Sequence, residues 1–115
     1  MEYQNVGKNI LNMDSEVRFV TIVDPKDGNI LFSEHKAEAT NLLSKEESQE
    51  SLQLAINAWK TRSKLSSKIG KGKYVLAEYE KLKRITMPLD DGHLLYITTE
   101  VGCDALSLID KIRKL

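Results

Sequence analysis

Two segments of this chain are apolar on both of their faces, and that constrains the fold more than any other feature. In Val17 to Val23, Phe19 and Val23 alternate with Val20 and Ile22. In His93 to Thr99, Leu95 and Ile97 alternate with Leu94 and Tyr96. Side chains on a strand point alternately to opposite faces, so each strand needs cover above and below. The simplest arrangement with that property is three layers, with the sheet in the middle. At 115 residues there is material for one such domain and no second core.

The other elements follow from local signals. Tyr3, Val6, Ile10 and Met13 recur at helical spacing, which predicts a helix over 2–14. Asp24-Pro25-Lys26-Asp27-Gly28-Asn29 is turn chemistry, leading to a second strand over Ile30–Ser33 and a connecting segment over 36–43. Ser44 and Glu47 form a capping box that opens a long helix, and Gly70 follows its expected last residue, Ile69. Tyr74–Glu80 and Leu82–Leu89 read as strands, and Asp90-Asp91-Gly92 as the hairpin turn into the fifth strand. Asp104 caps a last helix with Ala105, Leu108, Ile109, Ile112 and Leu115 on one stripe. The element order is therefore α-β-β-α-β-β-β-α. The class is an α+β, three-layer α/β/α sandwich, with the long helix on one face and the terminal helices on the other.

That order resembles the roadblock family of dynein-associated light chains and GTPase regulators, within the wider profilin-like and longin-like group. The likeness spans nearly the whole chain, 1–115, as a single roadblock-like domain. Its most family-like stretches are Val20 to Leu31 and Leu89 to Ile97, each an apolar strand, an acidic-glycine turn and another apolar strand. The run from Gly72 to Arg84 looks like small archaeal proteins of this shape. The resemblance implies a five-stranded, mostly antiparallel sheet in order 2-1-5-4-3. It also implies a non-catalytic homodimeric adaptor that partners a small GTPase or another signalling protein. A sensory domain of the PAS type, holding a small ligand, is the alternative. Such domains usually place several short helices between strands two and three, where this chain has one long helix.

Charge and motif content narrow the chemistry. Net charge is zero, yet residues 60–84 carry nine Lys and Arg against two acids. Lys71, Lys73, Lys81, Lys83 and Arg84 are the candidate docking residues for an acidic protein surface. Few stacking aromatics interleave them, which argues against nucleic acid. Gly70-Lys71-Gly72-Lys73 runs from helix to strand, the reverse of a phosphate loop, and reads as a C-cap. Cys103 has no second cysteine to pair with, so a reducing compartment is expected and the thiol reads as structural. His35 and His93 lack neighbours at ligand spacing, so no metal or other cofactor is expected. Met1 to Asn5 does not open a signal peptide, and no apolar run is long enough to span a bilayer. The expectation is a cytoplasmic protein without enzymatic activity.

The long helix carries the sharpest expectation. Leu52, Ala55, Ile56 and Trp59 form one stripe, which should lie on the sheet. Leu54, Ala58, Thr61 and Leu65 form a second stripe beside it, which one sheet cannot also cover. Either the 36–43 segment folds over that second stripe, or it meets a second copy of the chain.

Overall fold

The computed structural model describes residues 2–115; Met1, part of the stretch read for a leader, lies outside them. In chain order the elements are α1 (Tyr3–Leu11), β1 (Val17–Val23), β2 (Ile30–His35), α2 (Lys45–Ile69), β3 (Val75–Glu78), β4 (Lys83–Pro88), β5 (Leu94–Thr99) and α3 (Ala105–Arg113). The five strands form one antiparallel sheet in the order β2-β1-β5-β4-β3, as expected. One unbroken 25-residue helix stands between β2 and β3, which counts against the PAS alternative.

Layering follows the pleat. Val20, Ile22, Ile85, Met87, Leu95 and Ile97 turn to one face, where Ile10, Leu108, Ile109 and Ile112 of the terminal helices cover them. Val23 and Leu94 turn to the other face and meet Ile56 and Trp59 of α2. Both faces of β1 and β5 are thus covered, as their two-sided apolar content requires.

Boundaries moved where side-chain chemistry overrode periodicity. α1 ends at Leu11 rather than residue 14, because the amide of Glu16 bonds the Asp14 carboxylate (2.8 Å) in a turn that redirects the chain. β2 runs two residues past Ser33, held by the pairing of Phe19 with His35. β3 is shorter than Tyr74–Glu80, since Tyr79 bonds back to Leu82 (2.9 Å) and closes the hairpin. The terminal-helix stripe stops at Ile112, leaving Leu115 exposed.

Candidate interaction surface

The start of α2 is set by its capping box: the Glu47 amide donates to Ser44 Oγ (3.1 Å) and the Ser44 amide to Glu47 Oε1 (2.9 Å). Its end is set by Gly70 at φ 88, a backbone region that costs a side chain strain. Between these caps the inner stripe packs as expected. Trp59 is buried over Gly72, donates from Nε1 to Thr86 Oγ1 (2.8 Å), and carries the Arg62 guanidinium 5.0 Å from its ring centre.

The outer stripe remains open. Leu54 is 68% exposed and Leu65 47%, Thr61 is exposed and Ala58 half-buried. The Thr61 hydroxyl donates to the Asn57 carbonyl within the helix (3.3 Å), so it asks nothing of a partner. The 36–43 segment does not cover this stripe; Lys36 anchors it instead to the Asp14 and Val17 carbonyls (3.0 and 3.1 Å). Leu54 and Ala58 line a shallow groove with Val75 and Ala77 of β3. Among the described residues β3 pairs only with β4, so its outer edge is free beside that groove.

The candidate docking cations divide into two groups. Lys71, Lys73 and Lys81 are exposed, the first two in the α2–β3 loop and the third in the β3–β4 turn. Lys83 and Arg84 are neighbours on β4 and point to opposite sheet faces. Lys83 Nζ donates to the Cys103 carbonyl (2.8 Å) and sits 3.5 Å from Glu78. Arg84 lies between the rings of Tyr79 and Tyr96, 5.2 and 5.3 Å from their centres. Cys103 is buried, and burial, with Asp14 nearby, pushes its thiol pKa up, away from the thiolate a nucleophile needs.

A polar cluster at the β4–β5 turn had no signal in sequence spacing, because its members lie about ninety positions apart. Tyr3 Oη donates to Asp91 Oδ2 (2.6 Å) and sits 3.0 Å from His93 Nδ1. The bond to Asp91, then burial, pushes the Tyr3 hydroxyl up to about 12. Burial alone would raise the Asp91 carboxyl, but the bonds from Tyr3 and His93 outweigh it and hold the group below its ordinary value. The cluster pins α1 to the hairpin, and its contribution depends on pH. A raised folded-state Tyr3 stabilises fully below its unfolded value of 10 and less as pH climbs through about 12. A depressed Asp91 stabilises above its unfolded value of 3.8 and loses that as pH falls through its lower folded value. The stability gap between wild type and Tyr3→Phe should therefore be widest near neutrality and close at both extremes. Chemical denaturation across pH checks this, and a pH-independent gap would refute it.

No protein-family model matches the sequence, and no curated relative matches it in sequence. Solved structures are similar along nearly all of the chain. A Roadblock/LC7 domain from Streptomyces avermitilis superposes with a TM-score of 0.71 at 11% identity, over 99% of this chain and 89% of that one. The gliding protein MglB from Thermus thermophilus gives 0.75 at 14% identity, over 98% and 81%. The fold is roadblock-like. A third structure, MglB described with a tetrameric arrangement, gives 0.74 at 14% identity over 96% and 79%. At these identities the likeness carries the roadblock architecture, and the chain's own surface must carry the function. No helix among the described residues is long and apolar enough to cross a membrane.

Proposed function

We propose that the chain is a single roadblock-like domain acting as a homodimeric, non-catalytic adaptor whose partner is a small GTPase or another signalling protein. The observation that carries the dimer is the exposed stripe of Leu54, Ala58, Thr61 and Leu65 running beside the free edge of β3. Small residues at 58 and 61 let a second α2 approach closely. An antiparallel two-fold pairing sets Glu46, Glu47 and Glu50 of one copy near Lys64 and Lys68 of its mate. The roadblock fold adds support, since it is shared with an MglB of tetrameric arrangement.

Docking of the further partner rests on the exposed lysines at the two ends of β3. Of the basic set, Lys71, Lys73 and Lys81 are exposed to meet an acidic protein surface, whereas Lys83 is bonded to the Cys103 carbonyl and Arg84 is half-buried between Tyr79 and Tyr96. Partner affinity should fall as salt rises, because exposed charges are screened. The domain reads as cytoplasmic.

Light scattering tests the dimer. Wild type should have twice the chain mass, and Leu54→Glu with Ala58→Asp should halve it while leaving the far-ultraviolet circular dichroism intact. A wild type that stays monomeric at high concentration ends the dimer reading. Recovery of a small GTPase on immobilised wild type, lost on charge reversal at Lys71, Lys73 and Lys81, tests the adaptor role. Recovery unchanged by that reversal would remove the lysines from it.

A further inference from the structure

A cavity of about 290 Å³ lies on the α2 face of the sheet and shares Arg84 with the groove beside β3's free edge. Its walls are the first turns of α2, the Asn41–Leu43 segment and parts of β1, β2, β4 and β5. Strand β1 carries an irregularity between Val17 and Phe19, where the register against β5 shifts. Such a bulge re-aims a side chain. Here it lets Arg18, which simple alternation would send to the opposite face, line the cavity beside Phe19. Arg84, Thr98 and Phe19 stand in one row across β4, β5 and β1, and Arg18 and Arg84 both line the cavity.

The charge balance there is one-sided. The described walls hold three cations, Arg18, Lys45 and Arg84, and no carboxylate. Arg18 is largely occupied: it donates to the Thr40 carbonyl, and its Nε lies 3.3 Å from Glu100 at an angle that makes no hydrogen bond. Arg84 has no carboxylate partner among the described residues. It is held in place by Tyr79 and Tyr96, with its Nη1 3.2 Å from Tyr79 Oη. Among the described residues Arg84 Nε and Thr98 Oγ1 are buried without a hydrogen-bond partner, and Thr98 as a whole is only 8% exposed. Buried polar atoms normally find partners, so Arg84 Nε and Thr98 Oγ1, which lack the nearby carboxylate that Arg18 Nε has in Glu100, mark a missing acceptor. The rest of the lining is apolar, with Phe19, Leu42, Leu52 and Tyr96 prominent.

We propose that this cavity binds a small monocarboxylate with an apolar body, its carboxylate on Arg84 and Thr98 and its body against Phe19 and Leu52. A carboxylate supplies acceptors for both orphans and compensates the unpaired guanidinium. An apolar body matches the remaining wall, and the volume is near the lower end of small-ligand sites, roughly 300–1,000 Å³.

The test uses 4-phenylbutyrate and its neutral analogue 4-phenylbutanamide, titrated into the full chain and followed by amide chemical shifts. The acid should bind saturably with shifts centred on Thr98 and Tyr96, roughly tenfold or more tighter than the amide, the scale of a hydrogen bond to a charged group. Arg84→Gln should erase that preference. Thr98→Val, nearly the same shape, should weaken the acid without unfolding the protein. Equal binding of acid and amide, no binding of either at millimolar concentration, or an acid affinity unmoved by both variants would overturn the proposal. Arg84 also borders the groove beside β3, so the titration is repeated on Leu54→Glu with Ala58→Asp. Retained affinity supports the cavity independently of the dimer, whereas loss in that variant would assign Arg84 to the interface and overturn it.

Discussion

Replacing Trp59 with alanine is expected to remove about 3–5 kcal/mol of stability, the range for truncating a large buried aromatic. Three separate contacts converge on this side chain. It is the largest member of the cluster with Val23, Ile56 and Leu94 that fastens α2 to the sheet. Its ring covers Gly72, where a Cβ would come within 2.7 Å of it, and its indole nitrogen is the partner of buried Thr86 Oγ1. Truncation leaves a cavity and an unsatisfied hydroxyl together. In a domain of this size that corresponds to a fall in melting temperature of roughly 10–20 °C. Trp59→Phe separates the two effects: most of the packing survives, and the stranded Thr86 hydroxyl should cost about 1–3 kcal/mol. Adding Thr86→Val should then recover part of the loss. A Trp59→Ala protein within about 1 kcal/mol of wild type would mean that α2 is not held this way.

Gly7→Ala should destabilise the protein although it improves the helix. Mid-helix glycine is about 1 kcal/mol worse than alanine by intrinsic propensity, so α1 considered alone would gain. In the folded chain Gly7 is buried directly against the ring of Phe32, which is itself 2% exposed, and a Cβ there would overlap the ring. Phe32 sits in the core with Ile10 and cannot swing into solvent. Overpacking of this kind costs about 1–3 kcal/mol, which outweighs the helical gain. Denaturant titration reads the sign directly, and a stabilised Gly7→Ala would refute the close approach. Gly7→Ala combined with Phe32→Leu should lose less than the sum of the single changes, because the two side chains compete for one space.

Elements whose cause is local were legible in the residues. The capping box at Ser44 and Glu47, the stop at Gly70 and the turns at Gly28 and Gly92 each depend on a few adjacent positions, and all three glycines take positive φ. The two-sided apolar content of β1 and β5 dictated three layers, because a pleated strand exposes alternate residues to opposite faces whatever surrounds it. Lys83 and Arg84, adjacent in sequence and read as one basic set, lie on opposite faces of β4 because successive side chains on a strand alternate. Only the tertiary structure could decide what depends on distant partners. Which stripe of α2 stays open was settled by where the 36–43 segment is anchored, through Lys36. The approach of Gly7 to Phe32 and the joining of Tyr3 to Asp91 and His93 bring together residues far apart in the chain, which no local periodicity encodes. Arg18 changed faces because one strand carries an extra residue relative to its neighbour, a mismatch that exists only once β1 is paired with β5.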